Sequence, residues 1–239
     1  MLYAILHLGI RIYLRLICRI KVSGREHVPE RGPFIMVTNH LSSVDPPLVV
    51  SLIPARLRMT GMAASAHRHD AFTGWLLNLG GAIWVRRGEG DRDALRQSLE
   101  ALSSGRPLGM SPEGTRSKTG ALIEAKTGVA FLALRAGVPI LPIALADTQK
   151  VYASWRRLRR PTVHARIGPA FALPPRGDGP RREHLQYCTD LIMARLASML
   201  PEEYHGFYAG HPLIAYWQGL DASGMASRPE WKPDLVQSP

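Results

Sequence analysis

The chain is punctuated by short strand-like runs, each closed by a polar turn: Phe34 to Thr38 after Pro33, Leu57 to Ala63, Ala82 to Val85, Ile140 to Leu145 between Pro139 and Asp147, and Thr162 to Ile167. Runs of this length bounded by proline, glycine and polar residues read as buried strands. Segments with helical spacing fall between them. These are Pro47 to Ile53, the amphipathic Phe72 to Leu79, Asp91 to Ser104 with Gly105 beyond it, Glu124 to Ala136 closed by Gly137, and Arg181 to Met199 ended by Pro201. Strands alternating with helices at this rhythm predict an α/β fold, with a mostly parallel central sheet flanked by helices. The 239 residues can enclose one sizeable core. The expected organisation is a helix over residues 1–20, the α/β domain over 21–200, and a tail over 201–239, aromatic at Tyr204, Phe207, Tyr208, Tyr216 and Trp217, to which the pattern assigns no role.

The strand at Phe34 delivers the chemically richest turn, Asn39-His40-Leu41-Ser42-Ser43-Val44-Asp45, followed by Pro46-Pro47. Five residues separate His40 from Asp45, about 140° around a regular helix, so one helix could not bring them together but a loop can. In such a loop a carboxylate can fix the imidazole tautomer and stabilise the cation formed when the other ring nitrogen takes a proton from a hydroxyl. A second reading is equally open on this stretch alone: Asp45 as the N-cap of a helix with proline at its first position, and His40 as an ordinary polar turn residue.

A second loaded turn, Ser111-Pro112-Glu113-Gly114-Thr115-Arg116-Ser117, follows the apolar run Pro107 to Met110. Together the two turns resemble the NHxxxxD and FPEGTRS signatures of the glycerolipid acyltransferases of the PlsC type. Gly81-Ala82-Ile83-Trp84-Val85-Arg86-Arg87 is similar to that family's second block, and Val138-Pro139-Ile140-Leu141-Pro142 to its fourth. The blocks stand in the family's order and cover roughly residues 20 to 170. Two departures are visible: Ser111 stands where the family usually has phenylalanine, and a lysine expected just after the third strand has no match around Ala63-Ala64-Ser65.

The resemblance implies that His40 is a general base and Asp45 its partner. It also implies that Arg87, Glu113, Gly114, Thr115 and Arg116 bind the acceptor, with guanidinium groups gripping a phosphate and Glu113 orienting an arginine or holding a glycerol hydroxyl. The expected reaction moves a fatty acyl group from acyl-CoA or acyl carrier protein (ACP) to the hydroxyl of lysophosphatidic acid, with no metal and no bound cofactor. Another lysophospholipid or glycerol-3-phosphate is the alternative acceptor. No serine lies in a GxSxG elbow, so direct attack on the thioester is expected in place of an acyl-enzyme.

The net charge of +11 points to anionic partners, whether lipid headgroups, phosphorylated metabolites or nucleic acid. A nucleic-acid or membrane-binding module without catalysis is the reading from another class. It would need basic residues interleaved with exposed aromatics, whereas the arginines here fall in separate clusters, the densest being Arg156-Arg157-Leu158-Arg159-Arg160; no nucleic acid is expected. Cys18 and Cys188 form no CxxC pair, which suits a reducing compartment. His67-Arg68-His69-Asp70 lacks a third metal ligand at diagnostic spacing, and Gly88-Glu89-Gly90 reads as a turn.

Leu2 to Ile20 is apolar apart from His7, Arg11, Arg15 and Arg19, which recur every fourth position and occupy an arc of about 120°. A spanning helix would place Arg11 near the bilayer centre at a cost of ~2.5–3.5 kcal/mol or more. An amphipathic helix lying in an anionic interface is therefore expected, making the protein monotopic at the cytoplasmic face. The competing arrangement is a helix packed on its own domain with a basic outer face.

Overall fold

The computed structural model describes residues 2–68, 74, 77–86, 91–176, 180–226 and 229–230. Seven strands, β1 (Arg19–Ser23), β2 (Ile35–Thr38), β3 (Thr60–Ala64), β4 (Ile83–Val85), β5 (Leu108–Met110), β6 (Ile140–Ala146) and β7 (Thr162–Ile167), form one sheet in the order β1-β7-β6-β2-β5-β3-β4. Every pairing is parallel except β6 with β7. Among the described residues the helices with defined bounds are α1 (Leu2–Ile17), α2 (Asp45–Leu52), α3 (Arg92–Ser103), α4 (Gly128–Ala136), α5 (Val151–Trp155), α6 (Arg181–Ser198) and α7 (Pro212–Ser223). The α/β architecture expected from the sequence is the one observed.

Side chains of successive strand residues leave on opposite faces, so each central strand feeds two cores. Ile35, Val37, Ile140 and Ala144 pack with α3, α4, α6 and α7. Phe34, Met36, Leu141 and Ile143 pack with α1, α2 and Val151 at the start of α5. Burial on both faces is why β6 is hidden along its whole length and reads as a continuous apolar run.

The strand expected from Leu57 begins at Thr60, because Ala55–Leu57 turns as a 3-10 helix. The helix expected from Glu124 starts at Gly128. Of the amphipathic segment from Phe72, only residues 74 and 77–79 lie within the described chain.

Three features depart from the sequence expectations more substantially. Residues 19–23, the first two of which the sequence assigns to the helix over 1–20, form edge strand β1 paired with β7; Ile20 and Val22 pack toward the second core, while Arg19 and Ser23 are exposed. Second, His7 does not share an outer polar face with the arginines. It is buried, its Nε2 lying 3.0 Å and 2.9 Å from the carbonyls of Val50 and Ile53 at the end of α2, where unsatisfied helix carbonyls need a donor. Leu14 and Ile17 follow it into the core, and the outer face keeps Ile5, Leu8, Ile12 and Leu16 exposed. The helix thus packs on its own domain with an apolar outer face flanked by exposed Arg11 and Arg15.

Third, the C-terminal segment is built into the first core. Trp217 is fully buried against Phe171, and its Nε1–H donates to Leu191 O at 2.8 Å. Arg195 of α6, 2% exposed, donates to Asp221 at 2.6 Å and lies 4.9 Å over the Trp217 ring. A buried guanidinium is costly unless paired, so α7 supplies both a counter-charge and an aromatic face to α6. Trp217→Ala should therefore destabilise the protein by about 3–5 kcal/mol in urea unfolding, whereas Phe207→Ala, at an exposed ring, should stay within about 0.5 kcal/mol. Two near-neutral variants would mean that the segment is an appendage.

Candidate active site

The site forms where parallel strands β6, β2 and β5 end side by side. α2 leaves β2 over one face of the sheet and α4 reaches β6 over the other, which opens a crevice at the carboxyl ends of these strands. The ladder between β2 and β6 ends at Thr38 opposite Ile143, and the Asn39 side chain extends it. Asn39 Nδ2 donates to Leu145 O and Oδ1 accepts from Leu145 N–H, both at 2.8 Å. The backbone is thereby freed to turn away from the sheet at His40.

Asp45 is the first residue of α2 and is 1% exposed. Prolines 46 and 47 follow, so amides that an N-terminal carboxylate would ordinarily cap are missing. The carboxylate turns back instead. Its Oδ2 accepts from His40 Nδ1 at 2.8 Å, Leu41 N–H at 2.6 Å and Ser42 N–H at 2.7 Å. Its Oδ1 accepts from the hydroxyl of Thr148 at 2.5 Å and that of Ser42 at 3.4 Å. The geometry joins His40 to Asp45, and the helix-cap alternative does not describe this carboxylate. A carboxylate only accepts, so Nδ1 carries the proton and Nε2 keeps its lone pair. The His40 side chain is 21% exposed, and among the described residues nothing bonds Nε2.

The second turn holds the backbone of His40 from both sides. Glu113 Oε1 accepts His40 N–H at 2.9 Å, and Ser117 N–H donates to His40 O at 2.8 Å. Glu113 Oε2 accepts from Ile123 N–H at 3.4 Å, and the residue is 2% exposed. Burial pushes its carboxyl up to about 7, against the opposing pull of the two amides, with the nearby Asp45 charge adding to the rise. Among the described residues the partners of Glu113 are backbone amides, and its geometry is that of a brace. Gly114, at φ 66°, makes the left-handed step that lets its N–H bond Ser111 O at 3.1 Å. Gly114, Thr115 and Arg116 are exposed on the rim of the turn. Arg87 lies outside the described residues, as do His69, Asp70 and Gly88 to Gly90. Ser111, at the departure from the family pattern, has a buried hydroxyl with no partner among the described residues.

Asn39, Ser117, Thr148 and the C-terminal segment carry parts of this geometry that sequence reasoning left without roles. Asn39 and Ser117 lie inside the two signatures. Thr148 follows a strand that ends beside β2, which is the signal that could have marked it. The C-terminal segment reaches the site through backbone: Tyr204 O accepts Leu122 N–H at 2.8 Å, Leu122 O accepts Phe207 N–H at 2.9 Å, and the hydroxyls of Tyr204 and Tyr208 accept the amides of Asp147 and Ala125. Gly206 lies so close to Leu122 O that no Cβ fits.

A groove of about 680 Å³ opens beside the site, between the Thr119-Gly120 turn and Asp147, lined among others by basic Lys21, Lys150 and Arg166 and by acidic Asp147 and Glu203. Among the described residues no cluster of three or more His, Cys, Asp or Glu is gathered for a metal ion.

The Glu113 carboxyl sets a pH signature. Its folded pKa is raised above the ordinary carboxyl value of 4.5, so the folded state binds more protons than the unfolded state between about 4.5 and 7. This contribution to stability is fully present below pH 4.5 and is lost as pH rises through 7. Glu113→Gln, which keeps an acceptor for His40 N–H, should remove it. Wild type should lose on the order of 3 kcal/mol relative to this variant across that window; parallel stability–pH curves from chemical denaturation would contradict the buried brace.

Comparison with known proteins gives the geometry its context. The family model described as Acyltransferase matches residues 19–146. The lyso-ornithine lipid O-acyltransferase of Pseudomonas aeruginosa is 34% identical over 128 residues, 53% of this chain and 47% of that protein. Human 1-acyl-sn-glycerol-3-phosphate acyltransferase alpha is 30% identical over 142 residues, 58% of this chain and 50% of the relative. The chain thus spans about half the length of these relatives. The crystal structure of the 1-acyl-sn-glycerophosphate acyltransferase PlsC from Thermotoga maritima superimposes with a TM-score of 0.65 at 23% identity, covering 82% of this chain and 79% of that one, and so shares the fold. With more than half of the chain, including both loaded turns, inside the family match, the protein belongs to the acyltransferase family.

Proposed function

We propose that the protein transfers a fatty acyl group from a thioester, acyl-CoA or acyl-ACP, to the free hydroxyl of lysophosphatidic acid. The observation that carries this reading is the His40–Asp45 pair, clamped by Glu113 and Ser117 with Nε2 facing outward. In this mechanism Nε2 takes the proton of the acceptor hydroxyl as its oxygen attacks the thioester carbonyl. The carbon–oxygen bond forms, the carbon–sulfur bond breaks, and the departing thiolate receives the proton from the imidazolium. Asp45 remains ionised throughout and stabilises the transient cation. Ser42 is not the nucleophile: its hydroxyl is buried and accepts Val44 N–H at 3.1 Å.

Arg116, exposed one residue before the amide that binds His40 O, and Arg87 serve the acceptor phosphate in this proposal. Gly114 and Thr115 shape the approach to it. Lys21 and Arg166, which line the groove, suit the phosphorylated part of a substrate. The apolar outer face of α1 supports an interfacial position, since among the described residues no helix is long and apolar enough to cross a membrane. We place the protein on the cytoplasmic face, where its buried free cysteines stay reduced.

A second reading keeps the chemistry and changes the acceptor to another lysolipid. It is favoured by the relative named for a lyso-ornithine lipid.

The test is product formation from acyl-CoA or acyl-ACP with lysophosphatidic acid or a lyso-ornithine lipid in mixed micelles. Wild type should form phosphatidic acid, and His40→Ala should lose about 10²–10⁴-fold in rate. Arg116→Ala should chiefly raise the KM for the acceptor. Full activity in His40→Ala would overturn the mechanism, and turnover with the lyso-ornithine lipid alone would select the second reading.

A further inference from the structure

Eleven large hydrophobic side chains are exposed among the described residues; six lie on α1, and three more, Tyr152, Trp155 and Leu158, lie on α5 and the turn after it. Two contacts set these elements side by side. The hydroxyls of Tyr13 and Tyr152 meet at 3.3 Å. The Arg160 guanidinium donates to the carbonyls of Arg15 and Cys18 at the end of α1. Nine of the eleven side chains thus belong to one neighbourhood.

The turn after α5 has a residue choice that folding alone does not explain. Leu158 N–H donates to Trp155 O at 2.8 Å and Arg159 N–H to Ser154 O at 2.9 Å. These paired bonds end a helix on a left-handed residue, ordinarily glycine. Here that residue is a leucine at φ 54° whose surface is 94% exposed. The backbone is strained for a branched side chain, and so exposed a side chain buries too little to offset the strain. Arg156, Arg157 and Arg159 surround it, exposed and without an ion-pair partner among the described residues.

We propose that the Trp155–Leu158 turn is a second membrane-inserting element that, together with the outer face of α1, fixes the tilt of the protein on an anionic phospholipid bilayer. This rests on the reading that α1 lies in the interface. The apolar tip enters below the headgroups and the three arginines meet lipid phosphates. A nucleic acid would satisfy the arginines but leave Leu158 in water. Because α5 begins three residues after Thr148, whose hydroxyl holds Asp45, insertion here carries the mouth of the His40 site to headgroup level. A lysolipid hydroxyl would be met there without extracting the lipid's chain.

Trp155 reports directly on the inference. With vesicles of equal parts phosphatidylglycerol and phosphatidylcholine, brominated near the middle of the acyl chains, wild-type fluorescence should be quenched, and Trp155→Phe should remove the quenched component. Replacing Arg156, Arg157 and Arg159 together by glutamine should weaken binding on the order of 100-fold, about fivefold per charge. Leu158→Gly separates the membrane role from a folding role: vesicle affinity should fall roughly tenfold or more, while the thermal midpoint should hold or rise, since glycine relieves the left-handed strain. A lower midpoint with unchanged vesicle binding would make Leu158 a folding residue and overturn the inference. Vesicle binding that is lost in Leu8→Glu but shows no Trp155 quenching would overturn it while leaving the α1 reading intact. Absence of wild-type binding to these vesicles would remove both.

Discussion

The structure around the site depends on one buried carboxylate. Asp45 is taken almost entirely out of water, which is tolerable only if its oxygens are saturated with donors. Saturation requires the amides of Leu41 and Ser42, the ring of His40 and the hydroxyl of Thr148 to converge on it. That demand fixes the loop after β2, the start of α2 and the end of β6 relative to one another. The double proline after Asp45 is part of the device, because it removes the amides that would compete for the carboxylate. Glu113 and Ser117 then fix the backbone of His40 from the β5 side, so its imidazole is set by three strand ends and not by a flexible loop.

Much of this was legible in the sequence because the parallel sheet leaves a plain trace. Runs buried on both faces read as continuous apolar segments, and β2 and β6 fall where such runs predict them, while β7 shows in its alternation. The two turns carrying His40, Asp45, Glu113 and Arg116 could be read as pieces of one site only through their resemblance to a known family. Their mutual geometry was hidden. Asp45 followed by proline looks like an ordinary helix start, and only the fold shows the carboxylate turning back. The bond between Glu113 and the His40 amide was hidden because local sequence cannot reveal a partner 73 residues away. Edge strand β1 was missed because its alternating residues follow directly on the amphipathic helix and its partner β7 lies far along the chain. Segment 201–226 hid its role for a similar reason: its partners Leu122, Ala125, Asp147, Leu191 and Arg195 are remote in sequence.

The same architecture couples the site to the outer surface. α2 begins at Asp45 and ends against His7, so the helix that carries the catalytic carboxylate in the proposed mechanism also seats α1. α5 starts just beyond Thr148 and is tied back to α1 through Tyr13 and Arg160. α1 and α5 therefore meet the site through single short connections on the same core. In the proposed mechanism, with the acceptor's chain kept in a membrane, such rigidity presents the base at a fixed height above the surface.

The proposed base works only with its lone pair on Nε2, and nitrogen NMR reads the state of the His40 ring directly. In protein labelled with ¹⁵N at histidine, with the His40 signals assigned by their loss in His40→Gln, the neutral ring should carry its proton on Nδ1, facing Asp45, and leave Nε2 unprotonated. In Asp45→Ala that preference should disappear. A neutral wild-type ring protonated on Nε2 would mean that the lone pair faces Asp45 and not the substrate, and His40 could not act as the base.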